Sequence, residues 1–507
     1  LSRIVDLLLT DLRYLLADLG EGGGLIGPSI YDTAQALRLA PPASGVWSAL
    51  DWLRDQQHAD GGWGQIDTPR ARDLPTLAAI LALHTYGART RDRAAVEAGL
   101  SFLRRQWSHW HAPLPQDLPV GVELLLPSLL SEAAAAGLDV QMAPYAALSA
   151  LGQRRRSLIA AVRPRSGSAP AHSWEAWGGA PDYSMLDSSG GLGHSPAATA
   201  AWLRASAGQY ELADIRAAAD RYLAQASAAT GLDVPGIMPT VWPIPYFERP
   251  FSLYALRLAG ILNHPALADV VDSQTRSLQN ALGQHGLGMS AGFTVDGDIT
   301  STTIAVLAAV GYNPSPSLVR RFAQADSGMF VTYPDELHPS LSTTVHAAHG
   351  LALLGQPPTR TLDVLVEQRM PDGRWLGDKW HASWLYLTGH AIHVLLDAGR
   401  IDTALAALPP LLDLQYADGS WSGARATLEE TAHGVLALLG FDQRELLPAA
   451  GRTALQRASA WMLRRYRLAA EAADTHWIGK ELYRPRRVAQ AFELSAMLGC
   501  AVRGYNL

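Results

Sequence analysis

Three stretches of this chain repeat one another, and the repeat limits what the chain can fold into. They read Gln57-His-Ala-Asp-Gly-Gly-Trp63, Gln368-Arg-Met-Pro-Asp-Gly-Arg-Trp375 and Gln415-Tyr-Ala-Asp-Gly-Ser-Trp421. In each, Asp-Gly makes a turn, the Gln amide reaches freed backbone groups, and the Trp indole covers a helix end. Helical apolar periodicity dominates between such turns, as in Pro75-Thr-Leu-Ala-Ala-Ile-Leu-Ala-Leu83 and Leu428-Glu-Glu-Thr-Ala-His-Gly-Val-Leu-Ala-Leu438. Strand signals are scarce, and 45 Gly and 31 Pro residues punctuate the helices. Units of this kind stack as helical hairpins that close into α/α barrels. An all-α chain is expected, with the tryptophans of the repeat in structural roles.

The 507 residues leave room for two or more domains, and a 48% apolar content supplies sizeable cores. A net charge of −6 without a basic stripe argues against a nucleic-acid partner. The one cysteine, Cys500, excludes a disulfide framework and a thiolate metal cluster, and it fits a reducing cytoplasm. Asp6, Asp11 and Asp18 on a helical pattern argue against a signal peptide. No apolar run reaches the ~20 residues of a membrane span, so no integral membrane segment is expected. Oligomeric state is not readable.

The chemistry concentrates in Thr294-Val-Asp-Gly-Asp-Ile-Thr-Ser-Thr303. Asp296 and Asp298 stand two residues apart, ahead of an apolar helical run from Ile304 to Val310. Carboxylates this close in an apolar setting cannot both ionise cheaply, because each raises the pKa of the other and burial raises both. A carboxyl kept protonated near neutral pH is a Brønsted acid. The plainer reading is a solvated Asp-Gly turn with Thr300 as the helix cap.

Seven blocks in order along nearly the whole chain resemble those of the class II terpene cyclases, copalyl-diphosphate-synthase-like group. They are Ser29-Ile-Tyr-Asp-Thr-Ala34, Asp51 to Gly64, Leu118-Pro-Val-Gly-Val-Glu-Leu-Leu-Leu-Pro-Ser-Leu-Leu130, His172-Ser-Trp-Glu-Ala-Trp177, Pro239-Thr-Val-Trp-Pro-Ile-Pro-Tyr-Phe-Glu248, Asp378-Lys-Trp380 and Gly479-Lys-Glu-Leu-Tyr-Arg484. The resemblance implies two α/α barrels with the active cavity between them. Residues 1–25 and 250–507 would form the β domain, and residues 26–249 the inserted γ domain. The family's acid motif is DxDD. Asp296 and Asp298 fill its first two acidic positions, and Ile299 stands at the third. By resemblance Asp298 protonates a terminal alkene, and Asp296 holds its protonation state. The metal motifs of class I terpene synthases are absent from the sequence, so the product should retain its diphosphate.

The same resemblance implies the remaining site residues. His172 would end the reaction as a base, with Thr240 standing where plant relatives carry an Asn partner. Trp174, Trp177, Trp242, Tyr246 and Trp384 would line the cation's path, since aromatic faces stabilise positive charge without reacting. Lys379, Lys480 and Arg484 would hold the diphosphate. Mg2+ would bridge phosphate oxygens to Glu123. The acidic cluster of plant relatives is replaced by Trp110-His-Ala-Pro-Leu-Pro-Gln-Asp117, where Asp117 alone keeps a charge. Glu248 and Arg249 read as an ion pair joining the domains. The pairs His346/His349 and His381/His390 read as structural, for want of an acidic or Cys partner at ligand spacing.

By the same resemblance the small-molecule partner would be a prenyl diphosphate of fifteen or twenty carbons. Ile299 and the bulk of Trp174 and Trp177 tilt the reading towards farnesyl diphosphate and a drimenyl-type product. Geranylgeranyl diphosphate and a copalyl-type product are the alternative. Three other classes compete: an α/α-barrel glycosidase, a prenyl-binding pseudo-cyclase, and a squalene–hopene-type cyclase. A glycosidase needs carboxylates set ~5–10 Å apart across an open sugar cleft, which adjacent aspartates fit poorly.

Overall fold

The computed structural model describes residues 2–505 except 88, 116–117, 335, 423–424 and 467–473. Asp117 thus lies outside the described residues.

The described residues are nearly all helix and loop, and the helices form two closed rings. In the first ring, Pro245–Ala259, Gly297–Ala309, Leu341–Leu353, Trp384–Asp397, Leu428–Asp442 and Arg486–Ala501 each pack on the next, and the last packs on the first. These inner helices are buried almost all round, which is why their sequences run apolar or small on every face. Amphipathic helices such as Ala268–Ala281 and Thr359–Glu367 cover them from outside. The N-terminal helix Ser2–Ala17 packs on Arg486–Ala501 and Ala268–Ala281, so the start of the chain completes the outer layer. The second ring joins Ile30–Leu39, Asp73–Tyr86, Val122–Ala135, the 3-10 segment Ala169–Ala176 and Pro196–Ala205. One large core draws on Leu8 to Ile26 and Val241 to Tyr505. Two smaller cores lie within residues 30–237 and 36–242.

The Trp repeat makes the same contacts at each occurrence. The indole N–H of Trp63, Trp375 and Trp421 donates to the carbonyl of Leu53, Leu365 and Leu411, at 2.6, 2.7 and 2.8 Å. Each backbone N–H donates to a threonine in the first turns of the next inner helix, Thr76, Thr388 or Thr431. One residue thus ties the end of an outer helix to the start of an inner one. Gln57 and Gln415 donate across the Asp-Gly turn to Gly61 and Gly419. Gly61 and Gly419 sit at φ of 86° and 98°, where a side chain is strained. The threonine half of the device recurs without a tryptophan. Met238, Leu192, Leu287 and Phe330 donate their backbone N–H groups to Thr33, Thr199, Thr300 and Thr344.

The chain enters most inner helices through a capping side chain. Ser29, Ser195, Asp296, Ser340, Ser383 and Thr427 each accept a backbone N–H from the first turn. Asp296, not Thr300, therefore caps the acid helix. Glu248 and Arg249 do not pair with one another. Glu248 accepts N–H groups from Gly20 and Leu25 and pairs with Arg487 at 3.1 Å, while Arg249 donates to Gln274.

The two rings meet along a seam made by two segments. The hairpin Trp477–Ile478/Leu482–Tyr483 reaches from the first ring, and its Gly479 carbonyl accepts the N–H of Val120. The loop before Asp296 docks on the second ring: Thr294 N–H donates to Gly167, and the Ser290 hydroxyl lies 2.6 Å from Nε2 of His194. The acid motif is held at this seam.

Candidate active site

Asp298 is the second residue of the helix Gly297–Ala309. Asp296 Oδ1 accepts the N–H groups of Asp298 and Ile299 at 2.8 and 2.9 Å. Gly297 permits this tight start, since a Cβ there would meet the Val331 carbonyl at 2.5 Å. The positive end of the helix lies at Asp298, which favours the carboxylate left after proton donation. Burial and the neighbouring Asp298 carboxylate push Asp296 far above the usual carboxyl range. Its Oδ1 serves two backbone N–H groups. Asp298 is held differently. Its Oδ1 lies 2.5 Å from Nδ1 of His346, its Oδ2 has no hydrogen-bond partner among the described residues, and 11% of its side chain stays accessible. One oxygen is thus anchored, and part of the side chain stays accessible.

Ile299 points the other way. It is 1% exposed and belongs to the large core. A nearby third carboxyl comes instead from Asp378, which accepts N–H groups from Ser342, His381 and Trp380. Burial, with the charge of Asp298, pushes Asp378 upward.

The histidines are the main revision to the sequence reading. His346 carries Asp298 on one nitrogen and, through Nε2, reaches Nδ1 of His390 at 2.9 Å. The premise of the structural reading, the want of an acidic partner, fails for His346, because Asp298 comes from the neighbouring inner helix rather than from nearby sequence. Aromatic rings pack round this pair: Tyr254 and Phe251 at 5.2 and 5.7 Å from His346, and Tyr386 at 4.1 Å from His390. His349 faces the opposite way, between the Tyr254 hydroxyl at 2.6 Å and Asp397 at 2.9 Å.

The aromatics named from motifs lie elsewhere. Trp384 sits under the guanidinium of Arg374, and the ring beside the histidines is Tyr386, two residues on. Trp242 packs on Tyr222 and donates to Gly22. Trp174 is buried in a smaller core against Gly178, and Trp177 donates to Pro170. Their bulk is absorbed by packing, which removes that reason for a short substrate. Tyr246 borders a surface recess with Ser273, Arg276 and Asn280.

His172 is buried, and its Nδ1–H donates to the Gly193 carbonyl at 2.9 Å, so Nε2 carries the lone pair. Burial, helped by the charge of Lys480, pushes its pKa down to about 3 and keeps the ring neutral. The hydroxyl of Thr240 is fully buried without a protein partner.

The three predicted cations are already paired. Lys480 Nζ lies 2.6 Å from Glu175, 3.7 Å from Asp32 and 2.6 Å from the Ser195 hydroxyl, with no exposure. Lys379 pairs with Glu336 at 2.6 Å, and Arg484 with Glu493 at 2.6 Å and Glu429 at 3.3 Å. Arg70 differs. It donates through Nε to the His109 carbonyl, and its terminal nitrogens have no partner among the described residues. It lines a seam cleft of about 270 Å3 with Asp67, His109, Pro119, Ile478 and Leu482.

Two places bear on a metal. Glu123 is mostly buried, burial pushes its pKa up, and Arg155 stands 3.9 Å away. A lone carboxyl facing a guanidinium is a poor match for Mg2+, which wants several hard oxygens. His381, Glu429 and His433 bring one ligand atom each within 4.8 Å of one another. The N–H of Ser383 donates to Nδ1 of His381, so the proton of that neutral ring sits on Nε2, which lies 3.8 Å from Glu429. A ring protonated there has no lone pair for a cation.

No protein-family model matches the chain. It is 44% identical to a (+)-kolavenyl diphosphate synthase of Herpetosiphon aurantiacus over 98% of both chains. It is 36% identical to an ent-copalyl diphosphate synthase of a Streptomyces species, over 92% of this chain and 91% of that one. A solved ent-copalyl diphosphate synthase from Streptomyces platensis superposes with a TM-score of 0.78 at 29% identity, over 97% of this chain and 99% of that one. The closed helical rings are shared with that solved synthase. The chain belongs to the class II terpene cyclases, and its relatives are of the copalyl diphosphate synthase type.

Proposed function

We propose that the protein cyclises geranylgeranyl diphosphate to a bicyclic, decalin-type diphosphate. The observation that supports the chemistry is Asp298: one oxygen anchored on His346, with 11% of the side chain still accessible. Asp298 Oδ2 gives its proton to the terminal alkene. The polyene, held folded, closes two rings as the cation moves inward. A neutral His172, through a water on the unpartnered Thr240 hydroxyl, takes a proton and ends the reaction. The twenty-carbon substrate replaces the farnesyl reading because the named relatives make kolavenyl and copalyl diphosphates and Trp174 is spent on packing. Arg70 in the seam cleft, which meets no carboxylate among the described residues, favours that place for the diphosphate over the neutralised Lys379, Lys480 and Arg484. Mg2+ enters this reading only as the counter-ion of the diphosphate.

The test is incubation with farnesyl and geranylgeranyl diphosphates and Mg2+, then phosphatase treatment and mass spectrometry against kolavenol and copalol standards. A bicyclic alcohol from the twenty-carbon substrate, lost in Asp298→Asn, is expected. A bicyclic product from farnesyl diphosphate alone restores the drimenyl reading. Linear alcohols from both substrates refute a cyclase.

A further inference from the structure

Between Asp139 and Glu175 the chain has five arginines and no Asp, Glu or Lys. The net charge of −6 hides this cluster. All five stand within Arg154-Arg-Arg-Ser-Leu-Ile-Ala-Ala-Val-Arg-Pro-Arg165, where an apolar run from Leu158 to Val162 is framed by arginine on both sides.

The run forms the end of the helix Ala146–Val162, which lies outside the second ring against Val122–Ala135. The helix is held through its first half. Its two buried residues are Leu148 and Gly152, and Gly152 has no Cβ to meet the Glu123 carbonyl. From Gln153 to Val162 no residue of the helix is buried. Leu158 and Val162 are 48% and 73% exposed, and Ala160 and Ala161 are exposed with them. A surface helix ordinarily turns such residues inwards. A consecutive apolar run left outside marks an interaction surface or an aggregation liability.

The arginines say which partner fits. Arg155 stands 3.9 Å from Glu123. Arg154, Arg156, Arg163 and Arg165 are exposed and meet no carboxylate among the described residues. Leu158 and Val162 follow Arg154 at one and two helical turns, so basic and apolar groups share one face. Nucleic acid would neutralise the arginines and leave the apolar run in water. An anionic bilayer takes both, because apolar side chains enter between the headgroups while arginines lie along the surface and reach the phosphates. The face adjoins the seam, since the carbonyl of Gly167, two residues past Arg165, accepts the Thr294 N–H there.

We propose that residues 154–165 dock the second ring on an anionic lipid surface. Leu158 and Val162 sit among the headgroups, and Arg154, Arg156, Arg163 and Arg165 meet the phosphates. The docking goes beyond the cyclase reading and does not rest on it.

The test is co-sedimentation of the full chain with vesicles of phosphatidylcholine, with and without phosphatidylglycerol. Wild type should bind the mixed vesicles, leave the neutral ones, and come off as salt is raised. Arg154→Ala with Arg165→Ala should lower the partition coefficient about 25-fold, at about fivefold for each arginine. Leu158→Ser with Val162→Ser should lower it about tenfold or more. All four positions are exposed, and circular dichroism and melting curves identify a variant that fails to fold, which leaves the other pair to decide. Wild type that ignores the mixed vesicles, or binds neutral ones equally, overturns the docking. So does a loss that follows the arginines and not Leu158 and Val162, which reduces the face to a contact for any polyanion, nucleic acid or acidic protein included. A protein that cyclises its substrate and binds no vesicle keeps the cyclase reading and loses this one.

Discussion

Replacing His346 by Phe keeps the volume of the ring and deletes two hydrogen bonds, to Asp298 at 2.5 Å and to His390 at 2.9 Å. As Asp298 gives up its proton it becomes a carboxylate. An imidazole N–H bonds a carboxylate more strongly than a carboxyl, so the contact grows on the way to the transition state. Hydrogen bonds to charged groups contribute roughly 1.5–3 kcal/mol. At about 1.4 kcal/mol per decade, that predicts a kcat lower by about 10- to 150-fold. The His346 side chain has no exposure, so KM should stay within about twofold of wild type. The assay is the initial rate of bicyclic alcohol released by phosphatase, measured by gas chromatography–mass spectrometry, alongside a melting curve. A folded His346→Phe protein with wild-type kcat refutes the anchoring role, and so does a loss confined to KM.

Three further outcomes are expected. Ile299→Asp, which restores the family's third acid, places a carboxyl among core residues at a position 1% exposed; urea melts should show a loss of ~2 kcal/mol or more, and the rate should not rise. Lys480→Met strands the carboxylates of Asp32 and Glu175, so stability should fall by roughly 3–5 kcal/mol; a stable variant impaired only in KM would return Lys480 to the diphosphate. Burial raises the carboxyl of Asp73, bonded by Trp110 and Tyr145, to about 7. The unfolded chain ionises first, so its contribution to stability is whole below pH ~3.9 and is lost as pH rises through 7. The melting temperature of Asp73→Asn relative to wild type should therefore climb between pH 4 and pH 8, and a flat difference would refute the burial argument.

The fold was largely legible because its signals are local. The Trp repeat announces helical hairpins since the indole bonds a carbonyl ten residues back, within one connection. Three occurrences understate the device, because Thr33, Thr199, Thr300 and Thr344 receive the same backbone N–H where no Trp stands. A lone threonine early in an apolar helix is too common to be read as a signal.

The candidate site divides in the same way. Asp296 and Asp298 could be singled out by sequence alone, since a cap and the residue two places on interact through one helical turn. The Ile299 substitution was equally visible. Only the tertiary structure decided which groups meet Asp298 and which of the named cations are paired. His346 meets Asp298 across 48 residues, and Lys480 meets Glu175 across 305. Neither pairing leaves a period or a spacing in the chain. Ring closure sets inner helices side by side and the seam brings the two barrels together. A motif names a residue type, but the pairing that fixes its charge and role is a property of the folded neighbourhood.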